Sequence, residues 1–380
     1  MESLLKSKNS YFIISAVLLV LFFVTTNRYT YEMALTLGFP DAFSYYSVSE
    51  IFTNFHDLSR LPSHHLERWM VFLMLGKISS LLSTDIWLIY RLFVVFLMLL
   101  TVIFFMYFKK LNSYNSIASL IVLFCNPYLF KMYYAVPSEL SDALFVFGLM
   151  LLVLGLNPIK NSFLISGVLI CCISKQTSIM LIPILILLYI NSRKDFIYIY
   201  LCCIILIFWV VNSQITLKYF GGINNNYLEY HSLGLYKFIF FEFDWIILLR
   251  FCGRLSVFVL TLAPILIFIN RHLRRDFKWI LFFMIIGFQP IFGGGPLVTG
   301  NSIQRLLAIG TPFLLPILWN YRFNRKSLLS FFGIYILISF HHKFSFLFYL
   351  NASKFHYLVI LILSALFSLI FWNSKMTKNI

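Results

Sequence analysis

Charge is what this sequence has least of. Only 12% of its side chains are Asp, Glu, Lys or Arg, while 61% are apolar; a soluble globular domain carries about 25% charged residues. A water-soluble chain of that balance could not hide its apolar surface in one core, so lipid must serve as solvent for much of it. Cysteine chemistry is also missing. Cys125, Cys171, Cys172, Cys202, Cys203 and Cys252 lie in or beside apolar runs, lack zinc-site spacing, and include two adjacent pairs that make poor disulfides. They read as small packing residues. No repeat period, low-complexity linker or soluble domain interrupts the 380 residues, which read as a single membrane domain, 1–380. The net charge of +16 suggests nucleic acid at first. The basic residues, however, fall in short clusters between apolar runs, as they do in a polytopic protein, so no nucleic-acid partner is expected.

What is present is a series of apolar runs. About 20 apolar residues cross a bilayer core, fewer where neighbours or thinning help. On that rule spans are expected near 10–26, 86–108, 115–130, 140–156, 162–174, 177–191, 196–213, 246–270, 279–292, 306–319, 327–341 and 356–372. The expected fold is an all-α transmembrane bundle of about 12 spans, within a range of roughly 10 to 13. The run 69–82 contains Lys77 and reads as an interfacial helix of the first outer loop. Lys6 and Lys8 precede the first run, but Val24-Thr25-Thr26-Asn27-Arg28 is a poor cleavage site, so that run is taken as a retained span. With the N-terminus inside, more than half of the basic residues fall in short cytoplasmic segments, Arg271-His-Leu-Arg-Arg275 among them. The alternation satisfies the positive-inside rule and puts both termini in the cytoplasm. Of the acids, only Glu2, Asp195 and Asp276 are then inside. The outer loops 27–85, 214–245 and 293–305 are the long ones, and long loops in a compact domain are usually functional.

The first outer loop reads Gly38-Phe-Pro-Asp41-Ala-Phe-Ser-Tyr45-Tyr46, then His64-His65-Leu-Glu67-Arg68-Trp69. Asp41 could cap a helix through the 40s, and could equally be a carboxylate at the membrane boundary that takes a proton as general base. His64, His65 and Arg68 could grip a phosphate or simply mark a helix start at the headgroup surface. Glu139 and Asp142 lie three apart at the start of a span and share a helical face. They could complement the helix dipole, or join Asp41 around a hydroxyl or a divalent cation; the spacing does not identify a metal site. Lys175 lies at an outer turn, where an ionisable residue suggests function although a lysine can snorkel to water. Arg305 follows the glycine-rich stretch from Gly293 and could pair with a phosphate, the glycines allowing close backbone approach or a flexible turn. The loop 214–245 mixes aromatic and polar residues, including Asn224 and His231, as suits a sugar or any interfacial loop.

These stretches resemble a known group. Pro40-Asp41-Ala-Phe-Ser-Tyr45-Tyr46, His64-His65-Leu-Glu67-Arg68 before an apolar run, and Ser174-Lys175-Gln-Thr before a run holding Pro183 are similar to motifs of the GT-C class of membrane glycosyltransferases. The resemblance implies transfer of a sugar from a polyprenyl-phosphate-linked donor to an acceptor glycan hydroxyl outside a bacterial cytoplasmic (inner) membrane, in surface polysaccharide or lipopolysaccharide assembly. Asp41 would be the base, and Lys175, Arg305 and Arg68 would hold the lipid phosphate. The chain departs from the pattern in lacking an Asp-x-Asp or Glu-Asp pair near Asp41, the next acid being Glu50, and in lacking a C-terminal soluble domain.

Two other readings compete. An O-antigen-type polymerase joins lipid-linked repeat units using arginines and histidines of large outer loops; here Arg250, Arg254, Arg305 and His231 would serve. A flippase or transporter would place ionisable residues at mid-membrane and often shows two similar halves, and no half-repeat is evident.

Overall fold

The computed structural model describes residues 8–36, 39, 41–50, 63–107, 113–156, 160–191, 195–220, 234–266, 273–299, 303–321, 323–345 and 354–376. Those residues are almost wholly helical, and Thr26 and Ser345 form an isolated antiparallel bridge. In chain order the helices are α1 (Lys8–Thr25), α2 (Tyr31–Thr36), α3 (Asp41–Ser49), α4 (Ser63–Leu66), α5 (Trp69–Leu82), α6 (Ile86–Tyr107), α7 (Ser113–Cys125), α8 (Phe130–Ala135) and α9 (Leu140–Gly155). They continue as α10 (Asn161–Ser174), α11 (Leu181–Asn191), α12 (Ile197–Phe220), α13 (Trp245–Leu266), α14 (Leu273–Thr299), α15 (Ile303–Ala308), α16 (Leu315–Trp319), α17 (Arg325–Phe340) and α18 (Lys354–Met376). Tight 3₁₀ turns at Pro137–Glu139, Gln176–Met180 and Thr311–Leu314 lead into α9, α11 and α16.

Among the described residues, four helices are long and apolar enough to cross a membrane: Ile86–Met106, Pro137–Gly155, Ile197–Thr216 and Trp245–Leu266. The remaining apolar helices, such as Tyr11–Thr25 and Asn161–Ser174, are shorter. Burial ranks the four. The Pro137–Gly155 stretch is 94% buried within the protein, whereas Ile197–Thr216 and Trp245–Leu266 are 22% buried. A helix that is apolar all round and covered all round is the hub of a bundle; α9 is that hub, and α12 and α13 show most of their surface outward.

Small residues let the hub approach its neighbour. A Cβ on Gly148 of α9 would sit 2.9 Å from the Gly167 carbonyl of α10, and one on Gly167 would sit 2.7 Å from the Leu152 amide. Such backbone contact is how apolar helices associate where water supplies no driving force. A close crossing also joins the first-loop helices: a Cβ on Gly76 of α5 would collide with the carbonyl oxygen of Ser49, at the end of α3. The Ser49 hydroxyl in turn donates to the Phe72 carbonyl at 2.8 Å. Ser83 closes α5 in the left-handed conformation (φ 49°), with Thr84 N–H bonding the Ser79 carbonyl at 3.1 Å.

The helix expected over 69–82 is found at those residues. Two expectations fail. The stretch 293–305, read as a glycine-rich outer loop, is helical through Thr299, because α14 continues past Pro290 and absorbs the break as a kink at Gly295 (φ 61°). There the backbone packs so closely on Gly234 that a Cβ would lie 2.7 Å from its carbonyl. The span expected at 306–319 is instead α15, a 3₁₀ turn and α16, since Pro312 and Pro316 interrupt the helical hydrogen-bond ladder.

Candidate active site

The ionisable residues singled out in distant parts of the chain meet in one cluster. Asp41 opens α3, His65 lies in α4, Arg68 stands at the start of α5, and Glu139 and Asp142 flank the entry to α9. Lys175 occupies the extended residue between α10 and the following 3₁₀ turn (φ −161°, ψ 137°), and Arg305 lies on α15.

Arg305 is the centre. Its Nη1 pairs with Glu139, its Nη2 lies 3.5 Å from Asp41 Oδ2, and its Nε lies 3.6 Å from Asp142 Oδ2. Asp142 is shared with Lys175, whose Nζ donates to Oδ1 at 2.6 Å. Both side chains of that pair are out of reach of solvent, at 3% and 0% exposure. Lys175 therefore does not snorkel to water as a turn lysine could. Three carboxylates meet three cations, Arg68, Lys175 and Arg305, which is how buried charge becomes tolerable. Among the described residues, neither Glu139 oxygen forms a hydrogen bond beyond the ion pair with Arg305, and the Tyr133, Ser138 and Ser141 hydroxyls are buried without a partner.

Asp41 differs from the other two acids. Its side chain keeps 20% exposure, against 0% for Glu139 and Asp142, so among the three carboxylates it is the one open to the surroundings. It does not act as a helix cap among the described residues; its oxygens face the side chains of His65, at 3.2 Å, and Arg305. Burial works to raise its pKa, but the His65 hydrogen bond and the charges of Arg305, His65 and Arg68 outweigh burial and hold it well below the usual carboxylate range. Burial lowers the pKa of His65, against the opposing pull of Asp41, so the ring is neutral. A carboxylate only accepts, so His65 Nε2–H donates to Asp41, and Nδ1 accepts from the Ser44 hydroxyl at 2.9 Å.

Arg68 is held by groups that the sequence reading had not assigned. It donates to the Tyr45 hydroxyl and, at 3.4 Å, to Gln176 Oε1. Tyr45 stacks on Phe72 of α5 (4.1 Å, 3° between rings). The signal for these partners lay in the quoted motifs: Ser44 and Tyr45 stand three and four residues past Asp41 on one helix, and Gln176 adjoins Lys175. The side chain of His64, and the residues Pro40, Asn224 and His231, lie outside the described residues. Of the arginines named for a polymerase, Arg250 is exposed and Arg254 half-buried on α13, and only Arg305 enters the cluster. Among the described residues, no group of three His, Cys, Asp or Glu side chains is arranged to hold a metal ion.

Compared with protein-family models, curated proteins and solved structures, the chain matches none.

Proposed function

We propose that the chain is a membrane-embedded glycosyltransferase that moves a sugar from a polyprenyl-phosphate-linked donor to an acceptor hydroxyl on the outer face of a bacterial cytoplasmic membrane. In this reading both termini are cytoplasmic, the bundle has about 12 spans counting short ones, and the cluster lies at the outer boundary. The observation that carries the reading is Asp41: a partly exposed carboxylate kept ionised by a neutral histidine and a guanidinium. That is the state a general base requires before it acts.

The chemistry follows from the groups present. The acceptor oxygen attacks the anomeric carbon while its proton passes to Asp41. The bond from that carbon to the donor phosphate oxygen breaks, and the phosphate leaves with the electron pair. The arginines would meet that charge. Arg305 holds Asp41 and Asp142 only at 3.5 and 3.6 Å, so a phosphate can compete with them for its N–H groups, and guanidinium suits phosphate oxygens. Glu139 and Asp142, wholly buried, hold Arg305 and Lys175 in place.

The polymerase reading draws less support, because Arg250 and Arg254 stand apart from the cluster. One observation favours a transporter: the Lys175–Asp142 pair is fully buried at a helix end, the kind of ionisable pair that lines ion pathways.

The test is Asp41→Asn in the native host, with membrane levels of the variant matched to wild type. Loss of a general base slows transfer about 10²–10⁴-fold, so surface glycan lacking one sugar is expected. If a gene deletion instead leaves single unpolymerised repeat units and the variant restores full chains, the polymerase reading wins. A chelator arm decides the divalent cation: undiminished transfer after chelation removes it from the scheme.

A further inference from the structure

Arg250 and Arg254, the two arginines that stand outside the charged cluster, call for an explanation of their own. They lie four residues apart on α13 and so share one helical face. Arg250 is exposed and Arg254 half-buried. Neither makes a hydrogen bond or an ion pair among the described residues. No Asp or Glu occurs in α13 from Trp245 to Leu266. The acid just before it, Asp244, accepts the Ile246 N–H at 2.7 Å and so caps the helix.

The position of the pair along α13 matters. This helix is long and apolar enough to cross a membrane and only 22% buried, so most of its surface faces outward. Exposed Tyr236, Phe243 and Trp245 mark its first end, as aromatic belts mark a headgroup boundary. At 1.5 Å per residue Arg250 lies about 8 Å, and Arg254 about 14 Å, along the axis from Trp245. Both therefore start in the nearer half of a core about 30 Å thick. An unpartnered charge there is expensive. Helical side chains lean toward the N-terminus, here toward the aromatic end, and arginine stems can run over apolar surface to bring the guanidinium to the headgroups. Two guanidinium groups one turn apart, about 5–6 Å, can take different oxygens of one phosphate. Gly253 lies between them in the chain, and a Cβ there would meet nothing within 4 Å, so the helix leaves a notch beside both. Exposed Ile246 and Leu249 extend the apolar surface around it.

Charge selects the occupant. A second copy packed on this face across a two-fold axis would set arginine against arginine, whereas an anionic headgroup neutralises both. We infer that α13 binds one anionic phospholipid, its phosphate bridging Arg250 and Arg254 and its acyl chains lying on the apolar surface beside Gly253. The site needs α13 to face lipid and uses no residue of the cluster around Arg305, so it stands or falls separately from the proposed reaction.

Native mass spectrometry of the full chain in a mild detergent tests it, with phosphatidylglycerol titrated against phosphatidylcholine, which carries the same phosphate but is neutral overall. One arginine beside an anionic lipid contributes about fivefold in affinity, so the pair should give phosphatidylglycerol a preference of roughly 25-fold. Arg250→Gln with Arg254→Gln should abolish the preference. Arg250→Gln alone should lower it about fivefold, and because Arg250 is exposed that variant decides should the double one fail to fold. Equal retention of the two lipids by the wild type overturns the inference, and so does a preference that Arg250→Gln leaves unchanged. A wild-type dimer that Arg250→Gln dissolves overturns it as well, since the face would then belong to a second copy.

Discussion

Replacing Arg305 by methionine removes the cation that faces three carboxylates at once. Glu139 and Asp142 have no exposed surface, and after the change Lys175 would be the one cation among the described residues still paired with either of them. Breaking a buried ion pair from one side costs about 3–5 kcal/mol, because the partner charge is stranded. For a chain of this size that corresponds to a fall of roughly 4–6 °C in apparent Tm. Arg305→Lys should lie between, since one ammonium can keep the Glu139 contact but cannot span Asp41 and Asp142 as well. The decisive measurement is a double-mutant cycle with Glu139→Gln. Neutralising Glu139 removes part of the stranded charge, so the double variant should be more stable than the sum of the single effects by about 2–3 kcal/mol. Thermal unfolding in one detergent at one scan rate, monitored by size-exclusion recovery, reads all four proteins on the same kinetic footing. If the two changes add to within about 0.5 kcal/mol, the guanidinium does not hold Glu139, and the electrostatic account of the cluster fails.

Two further outcomes are expected. The folded pKa values of Asp41 and His65 are both depressed, so each contributes stability above its unfolded value and loses it as pH falls; apparent Tm should hold near neutrality, drop below about pH 6.5 and again below about 3.9. His65→Asn should remove the upper step, and a Tm profile unchanged by that variant would contradict the neutral-histidine assignment. Gly76→Val drives a side chain into the Ser49 carbonyl; overpacking of this kind costs about 1–3 kcal/mol. It should loosen α3 from α5, seen as faster hydrogen exchange over residues 41–49, and unchanged exchange there would refute the close crossing.

The helices were legible because what makes them is local. Apolar runs of sufficient length announced α6, α9, α12 and α13, and the run from Trp69 to Leu82 announced α5 with its bounds. The turn at Lys175 was equally plain, since polar residues separate two apolar runs there. Where expectation failed, the local signal was ambiguous: Gly293-Gly-Gly-Pro296 reads as a loop, but α14 carries through it with a kink because Gly295 can take positive φ against Gly234. Proline similarly broke the expected span at 306–319 into shorter turns.

The sequence alone determined that the chain holds helices long and apolar enough to cross a membrane, where most of its helices lie, and that Asp41, His65, Arg68, Glu139, Asp142, Lys175 and Arg305 are worth attention. It did so through composition and short-range pattern, which need no knowledge of distant neighbours. Only the tertiary structure decided how those residues are used. Asp41 and Arg305 stand 264 positions apart, and no periodicity links them. Read singly, the cations looked free to grip phosphate; packed together, they are balanced by carboxylates, and Asp41 is the acid left partly open. Which charges neutralise one another, and which stays reachable, depends on distance through space in a medium of low dielectric, and that distance is set by the packing of helices around α9.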